Sequence, residues 1–236
     1  MHRKSKDIVH QRDPQHRPSV RAMMAVGRMY SRMFHQLDVL TPCTLPRTGP
    51  AILVCNHTSS IDPVLIQSVC PRLIVWMMAR EYYELPSLKW GFDLLEIIPV
   101  ERSGKDMAAT RAALRALANG RILGVFPEGR IETERVTLPF QPGVAMMAHR
   151  AGVDVYPAYL DGTQRGKIMS QAFVQPQSAS LAFGNKVPVQ FDGRRPDLGA
   201  AILQIQQAVE ALQVVASSLQ PQANMKASTT VSTNSR

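Results

Sequence analysis

The sequence predicts an α/β protein: a central, mixed, largely parallel sheet flanked by helices, with an N-terminal amphipathic helical segment. Two observations carry this. Short apolar runs alternate with helical patterns from residue 51 to residue 212, separated by Gly, Pro and Asn. The chain has 236 residues, 45% hydrophobic and 19% charged, which is long and apolar enough to bury a core without covalent staples.

The elements follow in order. Residues 1–16 are polar and basic and are expected to be disordered. Residues 17–40 are expected to form a helix, since Ser19 to Asp38 holds no Pro and a single Gly. At about 100° per residue, Met23, Val26, Tyr30, Met33, Phe34 and Leu37 share one face, and Arg21, Arg28 and Arg32 share the opposite one. That pattern fits a helix lying in a membrane interface, and equally a surface helix packed on the core. A Pro-rich connector spans Thr41 to Pro50. Strands are expected at Ala51–Cys55, Leu73–Met77, Leu95–Val100, Ile122–Phe126, Val153–Leu160, Ser180–Phe183 and Val187–Phe191. Helices are expected at Pro63–Val69, Leu85–Phe92, Lys105–Ala118, Val144–Arg150 and Asp197–Leu212. Residues 217–236 are rich in Ser, Thr, Gln and Asn and are expected to be a disordered tail.

Charge narrows the partners. The formal net charge is +9, and residues 1–35 carry +6 of it. A basic arm meets nucleic acid or an anionic membrane. No aromatic residues alternate with these charges as stacking platforms, which disfavours nucleic acid and leaves an anionic membrane surface or no specific partner. Cys43, Cys55 and Cys70 make neither a disulfide framework nor a C-x-x-C pair. No apolar stretch is expected to approach the roughly 18 residues that cross a bilayer, and no secretory h-region is visible, so a soluble or peripherally attached cytoplasmic protein is expected.

The polar residues gather after strands, where α/β proteins place their chemistry. Asn56-His57-Thr58-Ser59-Ser60-Ile61-Asp62-Pro63 follows the first of them. Asp62 before Pro63 reads as a helix N-cap. The turn is also short enough to fold the carboxylate back onto the His57 ring, fixing its tautomer and freeing the second nitrogen for a proton. Phe126-Pro127-Glu128-Gly129-Arg130 and Val100-Glu101-Arg102-Ser103-Gly104 follow two further strands, and each arginine offers a planar fork suited to phosphate. Ser59 or Ser60 with His57 is a second possibility, that of a serine hydrolase. Gly162-Thr163-Gln164-Arg165-Gly166-Lys167-Ile168 fails as a P-loop: it is a residue short between its glycines and has Ile where Ser or Thr is needed. No spacing supports a metal site.

These clusters resemble the glycerolipid acyltransferases, the 1-acylglycerol-3-phosphate acyltransferase family. Asn56-His57 with Asp62 is similar to their N-H-x-x-x-x-D block. Ile98-Pro99-Val100-Glu101-Arg102, Phe126-Pro127-Glu128-Gly129 and Val155-Tyr156-Pro157-Ala158 resemble the second, third and fourth blocks, in the same order. The resemblance covers about residues 20–192 and implies a glycerolipid-acyltransferase-like domain over residues 41–216. It implies His57 as general base and Asp62 as its support, both catalytic. It implies Asn56, Arg102, Glu128, Gly129 and Arg130 as substrate-binding residues, with Arg102 on the acceptor phosphate. The implied co-substrate is acyl-CoA or an acyl-carrier protein, with no other cofactor, and the implied partners are membrane phospholipids at the cytoplasmic side of the cell membrane. Two departures bear on the acceptor. Arg130 follows Gly129 directly with Ile131 next, which resembles the acyltransferases fused to acyl-carrier-protein synthetases that act on lysophosphatidylethanolamine. Phe140-Gln141-Pro142-Gly143 stands where many members carry a basic residue.

Overall fold

The computed structural model describes residues 16–102, 106–131, 138–163, 169–188 and 197–231; for 169, 170, 177 and 219–231 the backbone alone is described. Its strands are β1 (His35–Val39), β2 (Ala51–Cys55), β3 (Ile74–Ala79), β4 (Ile98–Val100), β5 (Ile122–Val125), β6 (Val155–Asp161) and β7 (Gln177–Phe183). They form one sheet in the order β1-β7-β6-β2-β5-β3-β4. Only β6 and β7 pair antiparallel; every other neighbouring pair is parallel. The mixed, largely parallel α/β fold is therefore present.

Alternation along the strands splits the core in two. Ile52, Val54, Val75, Leu123, Val125 and Val155 face α5 (Met107–Ala118), α6 (Gly143–Ala151) and α8 (Leu198–Val231). Ala51, Leu53, Cys55, Ile74, Trp76 and Leu160 face the side of α2 (Asp62–Val69) and α7 (Met169–Val174). Every residue of β2 is buried, as a central parallel strand with both faces covered requires. Arg72 ties the opposite rim together, donating to the carbonyls of Pro46 (3.0 Å), Gly49 (2.7 Å) and Gly120 (2.7 Å). Because β6, β2, β5, β3 and β4 are mutually parallel, the segments after them all emerge along one rim.

The N-terminal segment departs from its prediction. The helix α1 (Pro18–Phe34) ends before His35, and His35–Val39 becomes an edge strand parallel to β7. The open edge of β7 offers a ladder of hydrogen bonds that outweighs a few residues of helix propensity. The packed face is also rotated from the predicted one. Val20 and Met24 pack with Leu73, and Arg28 donates to the Cys70 carbonyl at 3.3 Å. Val26, Met29 and Met33 point outward, exposed by 59%, 57% and 80%.

The C-terminal helix departs too. Where a helix to Leu212 and a disordered tail from 217 were expected, α8 runs to Val231; residues 232–236 lie outside the described residues, as do residues 1–15 of the expected basic arm. The helix runs through Pro221, which lacks an N–H and disfavours a helix interior, so residue propensity does not account for the extension. Leu198–Ser218 is long and apolar enough to cross a membrane by length and composition, contrary to the expectation that no stretch is, because its Gln and Glu residues interrupt the apolar pattern without lowering its mean hydropathy far enough. In the fold its Ala201, Ile205, Val209, Leu212 and Ala216 form a buried stripe on the domain. The short helices α3 (Arg80–Tyr83) and α7 were not predicted, and α4 (Lys89–Leu94) is shorter and later than its prediction. Of the strand expected at Val187–Phe191, Val187 makes an isolated bridge to Val155, and residues 189–191 lie outside the described residues.

The three cysteines are free. Cys43 Sγ lies 3.7 Å from Cys70 Sγ at the end of α2. The thiol of Cys70 donates to the sulfur of Cys43 and holds the Cys43 thiol down at about 7. Since the thiolate is the nucleophile, Cys43 is expected to alkylate first with iodoacetamide, at a rate that climbs as pH rises through about 7. Peptide mapping after timed labelling checks this, and Cys70→Ala is expected to move the midpoint upward.

Candidate active site

The site is built on the loop between β2 and α2. The strand ladder stops at Cys55, and the Asn56 side chain continues it. Asn56 Nδ2 donates to the Leu160 carbonyl at 2.8 Å, and the Leu160 N–H donates back to Asn56 Oδ1 at 2.8 Å. This clamp on β6 sets where the next residue emerges. His57 projects from the rim, and its Nδ1 lies 3.0 Å from Asp62 Oδ2. A carboxylate can only accept, so Nδ1 carries the hydrogen and Nε2 keeps the free lone pair.

Asp62 is fully buried, and its charge is met by donors. Oδ2 also accepts from the backbone N–H groups of Thr58 and Ser59, both at 2.8 Å. Oδ1 accepts from Thr163 Oγ1 at 2.8 Å. The sequence reading of Asp62 as an N-cap is one residue out: Ile61 holds the cap position, and Asp62 is the first helical residue. Its carboxylate turns back to the loop rather than forward into the helix.

Aromatic stacking fixes the plane of the imidazole. The His57 ring stacks on Phe126, with centroids 4.0 Å apart and planes at 14°, and Phe126 stacks on Trp76 at 4.9 Å and 9°. The stack requires Gly124, where a Cβ would lie 2.4 Å from the Trp76 ring. In the sequence Phe126 stands out only as part of its block; the stacking of Phe126 and Trp76 and this role of Gly124 were not read there. The signal was present as a glycine inside a strand, which marks a close approach.

A cleft of about 530 Å³ opens over the His57 ring. Its lining includes the polar residues His57, Ser59, Ser60, Arg102, Arg130 and Gln141 and the apolar residues Trp76, Met77, Met78, Val100, Val144 and Met147. The histidine and both arginines singled out from the sequence thus share one cleft. Gly129 lines it as well, turning the chain at φ +73, with Gln141 against the place of a Cβ.

Two expected substrate-binding residues do not line it. Asn56 is committed to Leu160. Glu128 is buried, with Oε1 accepting from the His57 N–H at 3.2 Å and Oε2 from the Leu138 N–H at 3.4 Å. Both hold backbone, because a loop leaving a sheet exposes amides that need buried partners. Arg102 pairs with Glu81 at 3.1 Å and lies over the Tyr82 ring. Arg80 beside it pairs with Glu101, and with Glu84 at 3.6 Å. Among the described residues Ser59 Oγ has no hydrogen-bond partner, and no hydrogen bond joins it to His57 as a serine hydrolase would use. Among the described residues no cluster of three or more His, Cys, Asp or Glu is placed to hold a metal.

The fold and site define an α/β protein with a histidine–carboxylate pair at the carboxyl rim of a parallel sheet. A family model described as Acyltransferase matches residues 36–161, more than half of the chain, and the chain belongs to that family. A Caenorhabditis elegans protein named for 1-acyl-sn-glycerol-3-phosphate acyltransferase activity, acl-2, is 32% identical over 112 residues, which is 46% of this chain and 40% of its own. The 1-acyl-sn-glycerol-3-phosphate acyltransferases of Bacillus subtilis and Helicobacter pylori are 23% and 28% identical over 52% and 48% of this chain, and over 61% and 49% of theirs. The matches thus span about half the length of these curated relatives. The crystal structure of the 1-acyl-sn-glycerophosphate acyltransferase PlsC of Thermotoga maritima superposes with a TM-score of 0.64, at 24% identity, covering 82% of this chain and 79% of that one. That likeness concerns the fold.

Proposed function

We propose that this chain transfers a fatty acyl group from acyl-CoA or an acyl-carrier protein to the free hydroxyl of a lysophospholipid, converting 1-acylglycerol-3-phosphate to phosphatidic acid. The observation that carries the reading is the His57–Asp62 pair, its Nε2 left free at a cleft whose lining includes two arginines and several apolar side chains.

Each step follows from that arrangement. His57 Nε2 takes the proton of the acceptor hydroxyl as the oxygen attacks the thioester carbonyl. Asp62, anchored by its other donors, steadies the imidazolium that forms. Collapse of the tetrahedral oxyanion expels the thiolate, which receives the proton from Nε2. An ester forms, a thioester breaks, and the imidazole ends as it began. Arg102 and Arg130 grip the acceptor phosphate, and the methionine-rich wall takes acyl chain. The acceptor and product are membrane lipids, and α1 supplies a surface for them. Val26, Met29 and Met33 face outward, with Arg21 and Arg32 also exposed on the helix. An apolar strip with flanking cations fits an anionic bilayer interface.

One observation favours a second acceptor. Glu81 already neutralises Arg102, and Arg80 is matched by Glu84 and Glu101. A fixed carboxylate beside a phosphate-gripping arginine suits a zwitterionic headgroup, the ammonium of lysophosphatidylethanolamine resting on Glu81.

Purified protein is expected to acylate a lysolipid from one of the two donors, followed by mass spectrometry of the products, and His57→Ala to lose about 10²–10⁴-fold in kcat. No transfer to any lysolipid, or an undiminished variant, overturns the proposal. Glu81→Gln is expected to lower kcat/KM for lysophosphatidylethanolamine relative to lysophosphatidic acid by about fivefold, the worth of an exposed charge pair. An unchanged ratio removes the second acceptor. Flotation with phosphatidylglycerol-containing vesicles tests the surface: Val26→Glu with Met33→Glu is expected to leave the protein at the bottom of the gradient. Full flotation of the double variant places the lipid contact elsewhere.

A further inference from the structure

Thr163 belongs to the segment set aside as a failed P-loop, and its surroundings give it another use. It is fully buried. It follows β6 by way of Gly162, whose φ of +87 turns the chain sharply. A Cβ at Gly162 would lie 2.2 Å from the Ser178 carbonyl oxygen, so the turn is open to glycine alone. The turn delivers Thr163 beneath the β2–α2 loop, 101 residues away in sequence from Asp62.

The protons can be counted. Thr163 Oγ1 has one hydrogen, and at 2.8 Å from Asp62 Oδ1 it donates that hydrogen to the carboxylate. In the 2.5 Å contact between the hydroxyls of Thr58 and Thr163, the proton is therefore the one from Thr58. The result is a directed chain from Thr58 to Thr163 to Asp62, ending at the oxygen opposite the one that meets His57. Three donors converge on Oδ2: His57 Nδ1, Thr58 N and Ser59 N. Donors on one oxygen fix a point, but they leave the carboxylate free to pivot about that oxygen through coupled changes of χ1 and χ2. Holding Oδ1 fixes the plane, and the plane aims the Oδ2 lone pair at Nδ1.

We infer that Thr163 is a positioning residue for the reaction, acting through Asp62 on the direction of the His57 ring; this rests on the reading of His57 as general base. Its hydroxyl, rather than its bulk, is the working part. Thr163→Val keeps the shape and removes the donor, and Thr163→Ser keeps the donor. Thr163→Cys keeps a side chain of similar size with a weaker donor, and reads the same quantity where Val costs the fold.

The experiment is steady-state acyl transfer with each full-length variant, normalised to the folded fraction from a thermal melt. Thr163→Val and Thr163→Cys are expected to lose about 10–100-fold in kcat with KM for donor and acceptor unchanged, the size seen where an outer hydrogen-bond partner of a working group is removed. Thr163→Ser is expected to stay within about threefold of the wild type. A wild-type kcat in Thr163→Val or in Thr163→Cys overturns the inference, as does a loss accounted for by unfolding or equal impairment in Thr163→Ser. Wild-type protein that transfers no acyl group sinks the general-base reading and this inference with it. Active wild type with undiminished Thr163→Val or Thr163→Cys sinks this inference alone.

Discussion

The structure of the site depends on one buried anion. Asp62 has no contact with solvent, and a carboxylate in that position is tolerated only when hydrogen bonds replace its hydration. Those bonds come from three places: the backbone of the β2–α2 loop, the ring of His57, and the hydroxyl that follows β6. Each donor must be held where it is, so the anion dictates the conformation of residues 57–62 and the path of the chain beyond Asp161. The cost of burying the charge becomes a constraint on shape. The loop is rigid because any relaxation strands a charge.

Parallel strands explain why the other groups arrive at the same place. β2, β5, β3 and β4 all exit at one rim, so His57, Phe126, Arg130 and Arg102 meet without any long loop. The layers behind them are specific. Trp76 and Phe126 stack beneath the imidazole and set its tilt, and Glu128 catches the His57 amide. Tilt, tautomer and backbone position of one ring are thus set by separate contacts. Near Arg102, charges among the described residues pair with one another: Arg102 with Glu81, and Arg80 with Glu84 and Glu101.

The N-terminal helix shows how tertiary packing reassigns an amphipathic pattern. Its methionines and valine span more than one face, and the helix had to commit one face to the domain. The interior took Val20 and Met24, which pack with Leu73, and left Val26, Met29 and Met33 outside. The outward strip is therefore a product of packing. Its flanking arginines make it compatible with a lipid surface.

The sequence by itself determined six of the seven strands, most of the helices and the histidine, the carboxylate beside it and the two arginines that follow strands. These are local facts: apolar runs between turn residues, and polar groups placed just after strands. Tertiary structure alone decided what Asn56 and Glu128 do, since a buried amide or carboxylate serves whichever backbone group is left unpaired beside it, and Leu160 and Leu138 lie far off in the chain. It decided that His35–Val39 would be a strand, because only the free edge of β7 rewards that conformation. It placed Thr163 on Asp62 as well: no spacing rule reaches across 101 residues, and the pairing exists only because β6 lies beside β2 and a glycine turns the chain at its end.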